Sequence, residues 1–166
     1  MNGKAIARER SLRQATVRDL DALVHLEEAG FPTDQFSRRR LRYLLTRANA
    51  TVLVLEQEGL VVGAAIMVWR RHSTAGHLYS IVVDPALQGQ GLGVRLLQAC
   101  EKEALERWCS RLVLEVRADN VRAIQMYSSQ GYIVRATIPD LYSDGATGLR
   151  MEKALGQQAR STPARP

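Results

Sequence analysis

The chain has 166 residues, 46% of them apolar, enough for one domain whose core needs no disulfide or metal staple. Its net charge of +6 sits mainly at the ends. Residues 1–13 carry +3, residues 156–166 carry +2 and the body between them +1, so the folded part is nearly neutral, which weakens a nucleic-acid reading.

No apolar stretch approaches the roughly 20 residues that span a bilayer, and Met1 to Arg13 hold no apolar signal core. Cys100 and Cys109 fit neither a zinc spacing nor a disulfide framework. A cytoplasmic protein without a membrane partner is expected. In chain order, residues 1–10 read as a flexible basic N-terminus and Ser11 to Ala15 as a short strand. Thr16-Val-Arg-Asp19 is a capping-box-like helix start, followed by Leu20, Leu23 and Val24 on one apolar stripe. Phe31-Pro32-Thr33-Asp34 breaks that helix. Ser37 is the N-cap of a second one, with Leu41, Leu44, Leu45 and Ala48 inward. Arg38, Arg39, Arg40, Arg42 and Arg47 occupy its other side and read first as a solvated face, with a binding patch as the alternative.

Val52 to Glu56 and Leu60 to Trp69 are β-branched, apolar runs around Gln57-Glu58-Gly59, the pattern of a hairpin. Arg70 to Gly76 reads as a polar connection and Leu78 to Val83 as a third strand. Three such strands in succession predict an antiparallel meander. A helix follows, with Leu92, Leu96, Cys100 and Ala104 on its stripe and Leu97, Leu105 and Trp108 widening it. Leu112 to Val116 is a buried strand. Asn120 caps another helix that turns Ile124 and Tyr127 inward and stops at Gly131. Ile133 to Ile138 and Thr147 to Lys153 are the last strands, and residues 156–166 a disordered tail. The order β-α-α-β-β-β-α-β-α-β-β predicts an α/β (α+β) fold. Its mixed, largely antiparallel sheet has six to seven strands, with helices on both faces.

The chemically informative segment runs from Val83 to Leu97. A strand ends at Asp84-Pro85, glycines 89, 91 and 93 follow, and a helix opens. Glycines let backbone N–H groups converge on an anion, and the helix N-terminus adds partial positive charge. The expected ligand is a pyrophosphate. A dinucleotide-binding Rossmann unit is disfavoured, because the turn lies mid-chain after a meander and no acidic residue precedes Glu115 at the ribose-binding distance. A P-loop is excluded, since no Gly-Lys-Ser/Thr follows.

With Gln88, Gly91 and Gly93 in a Gln-x-x-Gly-x-Gly pattern after Val-Asp-Pro, the chain resembles the GNAT N-acetyltransferase superfamily. A second block, Leu114-Glu-Val-Arg-Ala-Asp-Asn120 with Ala123-Ile124, Tyr127 and Gly131-Tyr132, is similar to the bacterial ribosomal-protein N-terminal alanine acetyltransferase (RimI-like) subgroup. The resemblance covers residues 11–155 and implies one acetyltransferase domain with a splayed central strand pair. It implies acetyl-CoA as co-substrate, its pyrophosphate held by the amides of Gly89, Gln90, Gly91, Leu92, Gly93 and Val94 beside Gln88. Pantetheine would pair with the strand edge at Ile81, Val82 and Val83, and Asn120 would contact the cofactor. A backbone N–H of that edge would hold the tetrahedral oxyanion.

By the same resemblance Glu115 is the general base and Tyr127 the general acid to the departing sulfur, Tyr127 also touching the cofactor. The subgroup's Phe-Pro-Trp-Ser stretch becomes Phe31-Pro32-Thr33-Asp34-Gln35-Phe36-Ser37, without the tryptophan. Phe31 and Tyr142 are the implied acceptor-facing residues. The reaction needs a neutral amine, and an N-terminal amine with a pKa of about 8 supplies one more readily than a lysine at about 10.4. A protein N-terminus is the favoured acceptor, a polyamine, amino acid or antibiotic the alternative. A non-catalytic acyl-CoA binder or a ribosome-associated protein is the reading of another class. As structural alternatives, Glu115 is a carboxylate bonded to Arg117 or a backbone amide, and Tyr127 a core aromatic. His72, His77 and, last, His25 are the substitute bases. Cys100 is read as core, with no His or Asp partner at a spacing that would activate it. No metal site is expected, and the assembly is a monomer or homodimer.

Overall fold

The computed structural model describes residues 8–156. Its elements are β1 (Arg10–Gln14), α1 (Leu20–Gly30), α2 (Arg38–Thr46), β2 (Ala50–Gln57), β3 (Leu60–Trp69), β4 (Ala75–Val83), α3 (Leu92–Glu106), β5 (Arg111–Arg117), α4 (Val121–Ser129), β6 (Ile133–Ile138) and β7 (Gly148–Ala154). Single 3-10 turns lie at Val17–Asp19 and Pro85–Leu87. The element order is the one read from the sequence. The strands form one seven-stranded mixed sheet in the order β1-β2-β3-β4-β5-β7-β6. β1–β2, β5–β7 and β6–β7 pair antiparallel, β4–β5 parallel. No helix among the described residues is long and apolar enough to cross a membrane.

The chain divides into two compact units: one runs up to Met67 and adds Ser80–Leu97, the other joins Val68–Tyr79 to the chain from Gln98 onward. In the first unit, Thr16 and Asp19 form the predicted capping box, and Asp19 also takes two bonds from Arg13, at 2.8 and 2.9 Å. Leu20, Leu23 and Leu26 are the buried face of α1, with Val24 only half-buried. Ser37 caps α2 by accepting the Arg40 N–H, and Leu41 and Leu44 are its buried residues. The arginines of α2 are exposed, Arg38 pairing with Asp21 at 2.6 Å. The β2–β3 hairpin turns on Glu58 and Gly59 at φ 52° and 78°, both left-handed, as a two-residue type I′ turn requires.

In the second unit α4 ends in a Schellman motif. Gly131 at φ 93° donates to the Ser128 carbonyl and Tyr132 to that of Tyr127. Cys100, Ala104, Leu112, Leu114 and Met151 are fully buried core.

Three sequence expectations are corrected. Arg10 is not part of a flexible terminus: it opens β1 opposite Gln57, while residues 1–7 and the tail beyond Gly156 lie outside the described residues. β4 begins at Ala75, so Gly76 belongs to the strand. A Cβ there would stand 2.8 Å from Trp69 Cζ3 and 3.0 Å from Leu112 Cδ1, and glycine is what lets these side chains close over the strand. Leu105 and Trp108 do not widen the α3 stripe. The helix stops at Glu106, and Cys109 N–H caps the Ala104 carbonyl at 2.9 Å. Trp108 takes the left-handed turn at φ 60°, which carries its side chain to 91% exposure.

Candidate active site

The first unit contains the predicted anion loop. β4 ends at Val83, Asp84 caps the following turn through Ala86 N–H, and the chain reaches α3 through Gly89 and Gly91 at φ 82° and 75°. Both angles lie in the left-handed region that favours glycine. Gly91 carbonyl accepts the helical bond from Arg95 N–H at 3.1 Å. The N–H groups of Leu92, Gly93 and Val94 therefore lie in the first helical turn, where no carbonyl stands one turn back. A Cβ at Gly91 would meet no atom of the described residues within 4 Å, so these leave the space in front of the turn unfilled. Gln88, Gly89 and Gln90 are exposed. Two arginines flank the loop that sequence reasoning did not place there. Arg10 Nη2 donates to Gln90 Oε1 at 2.5 Å, and Arg95 Nη2 to the Arg10 carbonyl at 3.0 Å. Their juxtaposition comes from β1, a contact 80 residues apart in sequence for Arg10 and Gln90.

On β4 of the same unit, Val82 and Val83 are buried and Ile81 half-buried. Phe31 is half-buried at the C-cap of α1, and its carbonyl accepts from the Gln35 amide. The segment from Phe31 to Phe36 is held by Glu27, a buried carboxylate that accepts the Phe36 N–H at 3.1 Å and the Ser80 hydroxyl at 3.4 Å. Burial raises the Glu27 carboxyl above its ordinary range, against those two bonds. Glu27 was readable as unusual, since it lies four residues after Leu23 on the apolar stripe.

The second unit holds the predicted chemistry. β5 pairs with β4 only from Ala75↔Arg111 to Leu78↔Leu114, whereas β4 runs on to Val83 and β5 to Arg117. Glu115 is the first residue of β5 beyond that register. It is half-buried, and both its oxygens are engaged. Oε2 lies 2.5 Å from His77 Nε2, and Oε1 takes Arg150 Nη2 and Nε at 3.2 and 3.3 Å. Desolvation would raise its carboxyl, but His77 and Arg150 outweigh it and hold the group below the ordinary carboxylate range. The anticipated bond to Arg117 is not what holds Glu115. Arg117 instead bridges Asp119 at 3.1 Å and Asp144 at 2.8 Å, its guanidinium 5.1 Å from the Tyr142 ring centroid. This clamp orders the β6–β7 loop that carries Tyr142.

Tyr127 is buried at 8% exposure and meets Tyr132 edge-on, centroids 5.8 Å apart. Burial pushes its phenol well above the usual range, with Cys100 and Tyr142 adding to the shift. Cys100 is buried core, as read, and its thiol is likewise pushed up by burial. Asn120 caps α4 through Ala123 N–H at 3.2 Å. His72 is exposed in the β3–β4 turn at φ 59°, and His25 is exposed on α1. Of the three histidines, His77 alone touches a predicted site residue among the described contacts.

Residues 20–132 match the model of the acetyltransferase (GNAT) family. The chain is 35% identical over 119 residues to the [Ribosomal protein bS18]-alanine N-acetyltransferase of Escherichia coli, covering 69% of this chain and 74% of that protein. It is 28% identical over 155 residues to the IAA acetyltransferase of Azospirillum brasilense, 93% of this chain and all of the relative. The crystal structure of the ribosomal-protein-S18-alanine N-acetyltransferase from Escherichia coli superposes with a TM-score of 0.81 at 26% identity, over 93% of this chain and 99% of that one.

Proposed function

Because the chain belongs to the acetyltransferase (GNAT) family, we propose that it transfers the acetyl group of acetyl-CoA directly to a primary amine, and that the amine is a protein or peptide N-terminus. The observation that carries the donor is the Gly89–Gly91–Gly93 turn at the head of α3, left-handed at two glycines and open where a Cβ would stand. Amides from Gly89 to Val94, beside Gln88 and between Arg10 and Arg95, suit a pyrophosphate. Ile81, Val82 and Val83 lie on β4 beyond its register with β5, an edge suited to pantetheine and to an oxyanion-binding N–H. Asn120 is the further cofactor contact, a role compatible with its cap.

In the transfer step the amine nitrogen attacks the thioester carbon, the C–N bond forms and the C–S bond breaks. Proton uptake is assigned to the Glu115 site. Tyr127 stays protonated at neutral pH, so its hydroxyl is available to the thiolate as it leaves. Phe31 and Tyr142 are the acceptor-facing residues. The N-terminal acceptor is supported by the 35% relative and by the lower pKa of an α-amine, about 8. A small-amine acceptor is the second reading, favoured by the exposed Asp34 in the loop that lacks the subgroup's tryptophan, and by the full-length 28% relative. Thiol release from acetyl-CoA, measured against alanine-initiated peptides, free amino acids and spermidine, tests the assignment. Turnover is expected, highest with the peptides. Release with no amine would refute transfer, and release with small amines alone would refute the N-terminal acceptor.

A further inference from the structure

We propose that His77 is the group that takes the proton from the acceptor's ammonium, with Glu115 acting through it as a positioning residue. The inference rests on the transfer reading above and names the base within it. Strand register assembles the site. His77 is opposite Val113 in the β4–β5 pair, and Glu115 is opposite Arg150 in the β5–β7 pair. His77, Val113, Glu115 and Arg150 thereby share one face of the sheet.

Arg150 cannot give up a proton, so it fixes the neighbouring Glu115 oxygen as an anion. An anionic carboxylate only accepts, so the hydrogen in the 2.5 Å contact belongs to His77 Nε2. With that hydrogen on Nε2, the ring's other nitrogen, Nδ1, makes no hydrogen bond to a described residue and is the position open to take a proton. With both oxygens occupied, Glu115 has little left to offer an incoming ammonium. A carboxylate held below its ordinary range is also a poor match for an amine with a pKa of about 8, whereas imidazole is the side chain suited to proton exchange around neutrality.

The other ionisable groups near His77 are accounted for. Tyr79 of its own strand meets the ring edge-on at 5.0 Å. Glu152 of β7, opposite Val113, is held by Arg135 at 2.9 Å, and Arg117 of β5 by Asp119 and Asp144. The protons balance. The ammonium gives one to Nδ1, and the imidazolium, neutralised by Glu115, later returns it to water. The second leaves the nitrogen as the tetrahedral intermediate collapses and ends on sulfur through Tyr127.

The test compares wild type, His77→Gln and Glu115→Gln over pH 6–9, with acetyl-CoA and the alanine-initiated peptide or spermidine, whichever turns over. His77→Gln keeps an amide able to bond Glu115. It is expected to lower kcat at pH 7 by about 10²-fold or more with the KM for acetyl-CoA nearly unchanged, and the deficit should shrink toward pH 9 as the acceptor deprotonates in solvent. In His77→Ala, added imidazole should restore part of the rate and saturate, which a structural role would not produce. Should His77→Gln melt early, this rescue carries the test. A His77→Gln rate within threefold of wild type across the range, beside a large loss in Glu115→Gln, would overturn the proposal and make Glu115 itself the base. No wild-type turnover with any amine would instead overturn the transfer reading, and this inference with it.

Discussion

Gly91 and Gly59 provide a matched pair for the anion loop. Both have left-handed backbones, at φ 75° and 78°, and a Cβ at either meets none of the described residues within 4 Å. Substituting alanine therefore costs each site only the strain of an L-residue at positive φ, about 1–2 kcal/mol. For a chain of this length that corresponds to a drop of roughly 2–8 °C in Tm. The two sites differ in what the open space is for. Gly59 sits in the β2–β3 turn, whereas Gly91 opens α3, the proposed place of a pyrophosphate. Gly91→Ala should weaken acetyl-CoA binding at least tenfold, about 1.4 kcal/mol, and Gly59→Ala should leave it unchanged. Titration calorimetry with acetyl-CoA, alongside thermal melts, separates the two effects. Equal melting losses with equal, undiminished affinities would refute the cradle.

Tyr127→Phe keeps the edge-on contact with Tyr132 and removes the hydroxyl. Single-turnover rates should fall about 10²-fold with Tm nearly unchanged, and a rate within threefold would make Tyr127 a packing residue. Glu115→Gln should lose rate at pH 7 and recover part of it as pH rises toward the α-amine pKa of about 8, measured as a pH–rate profile. Asp19 and Glu27 should give opposite pH signatures in thermal melts. The Arg13 bonds lower the Asp19 carboxyl, with Thr16 N–H assisting against its desolvation. Its stabilisation is present above the unfolded value of about 3.9 and is lost as pH falls through the folded one, so Asp19→Ala should cost about 1–2 kcal/mol at pH 7 and less in acid. Burial raises Glu27, so its contribution is full below about 4.3 and is lost as pH rises through the folded value. Glu27→Gln should raise Tm at pH 7 and not at pH 4.

The signals that proved readable are local. Thr16 with Asp19, Ser37 and Asn120 mark helix starts, Glu58-Gly59 a hairpin and Gly131 a helix stop, because each satisfies backbone groups within a few residues. The glycine turn is equally legible, since its left-handed backbone favours glycine at positions 89 and 91. Features set by register across strands were not. His77, Glu115 and Arg150 meet because β5 lies between β4 and β7, a strand order that no spacing along the chain encodes. Arg10 reaches Gln90 in the same way, through β1. Periodicity misplaces Trp108, because the apolar spacing continues past Glu106 while the capped Ala104 carbonyl has already ended the helix. Gly76 reads as loop in the sequence because its reason for being glycine, the approach of Trp69 and Leu112, is tertiary.

The most direct measurement uses a peptide with a free N-terminal alanine and one internal lysine. It is incubated with the protein and acetyl-CoA, and the product is sequenced by fragment-ion mass spectrometry. One acetyl group on the α-amine, formed in step with thiol release, is the expected result. Acetyl on the lysine alone, or thiol release without an acetylated peptide, would contradict it.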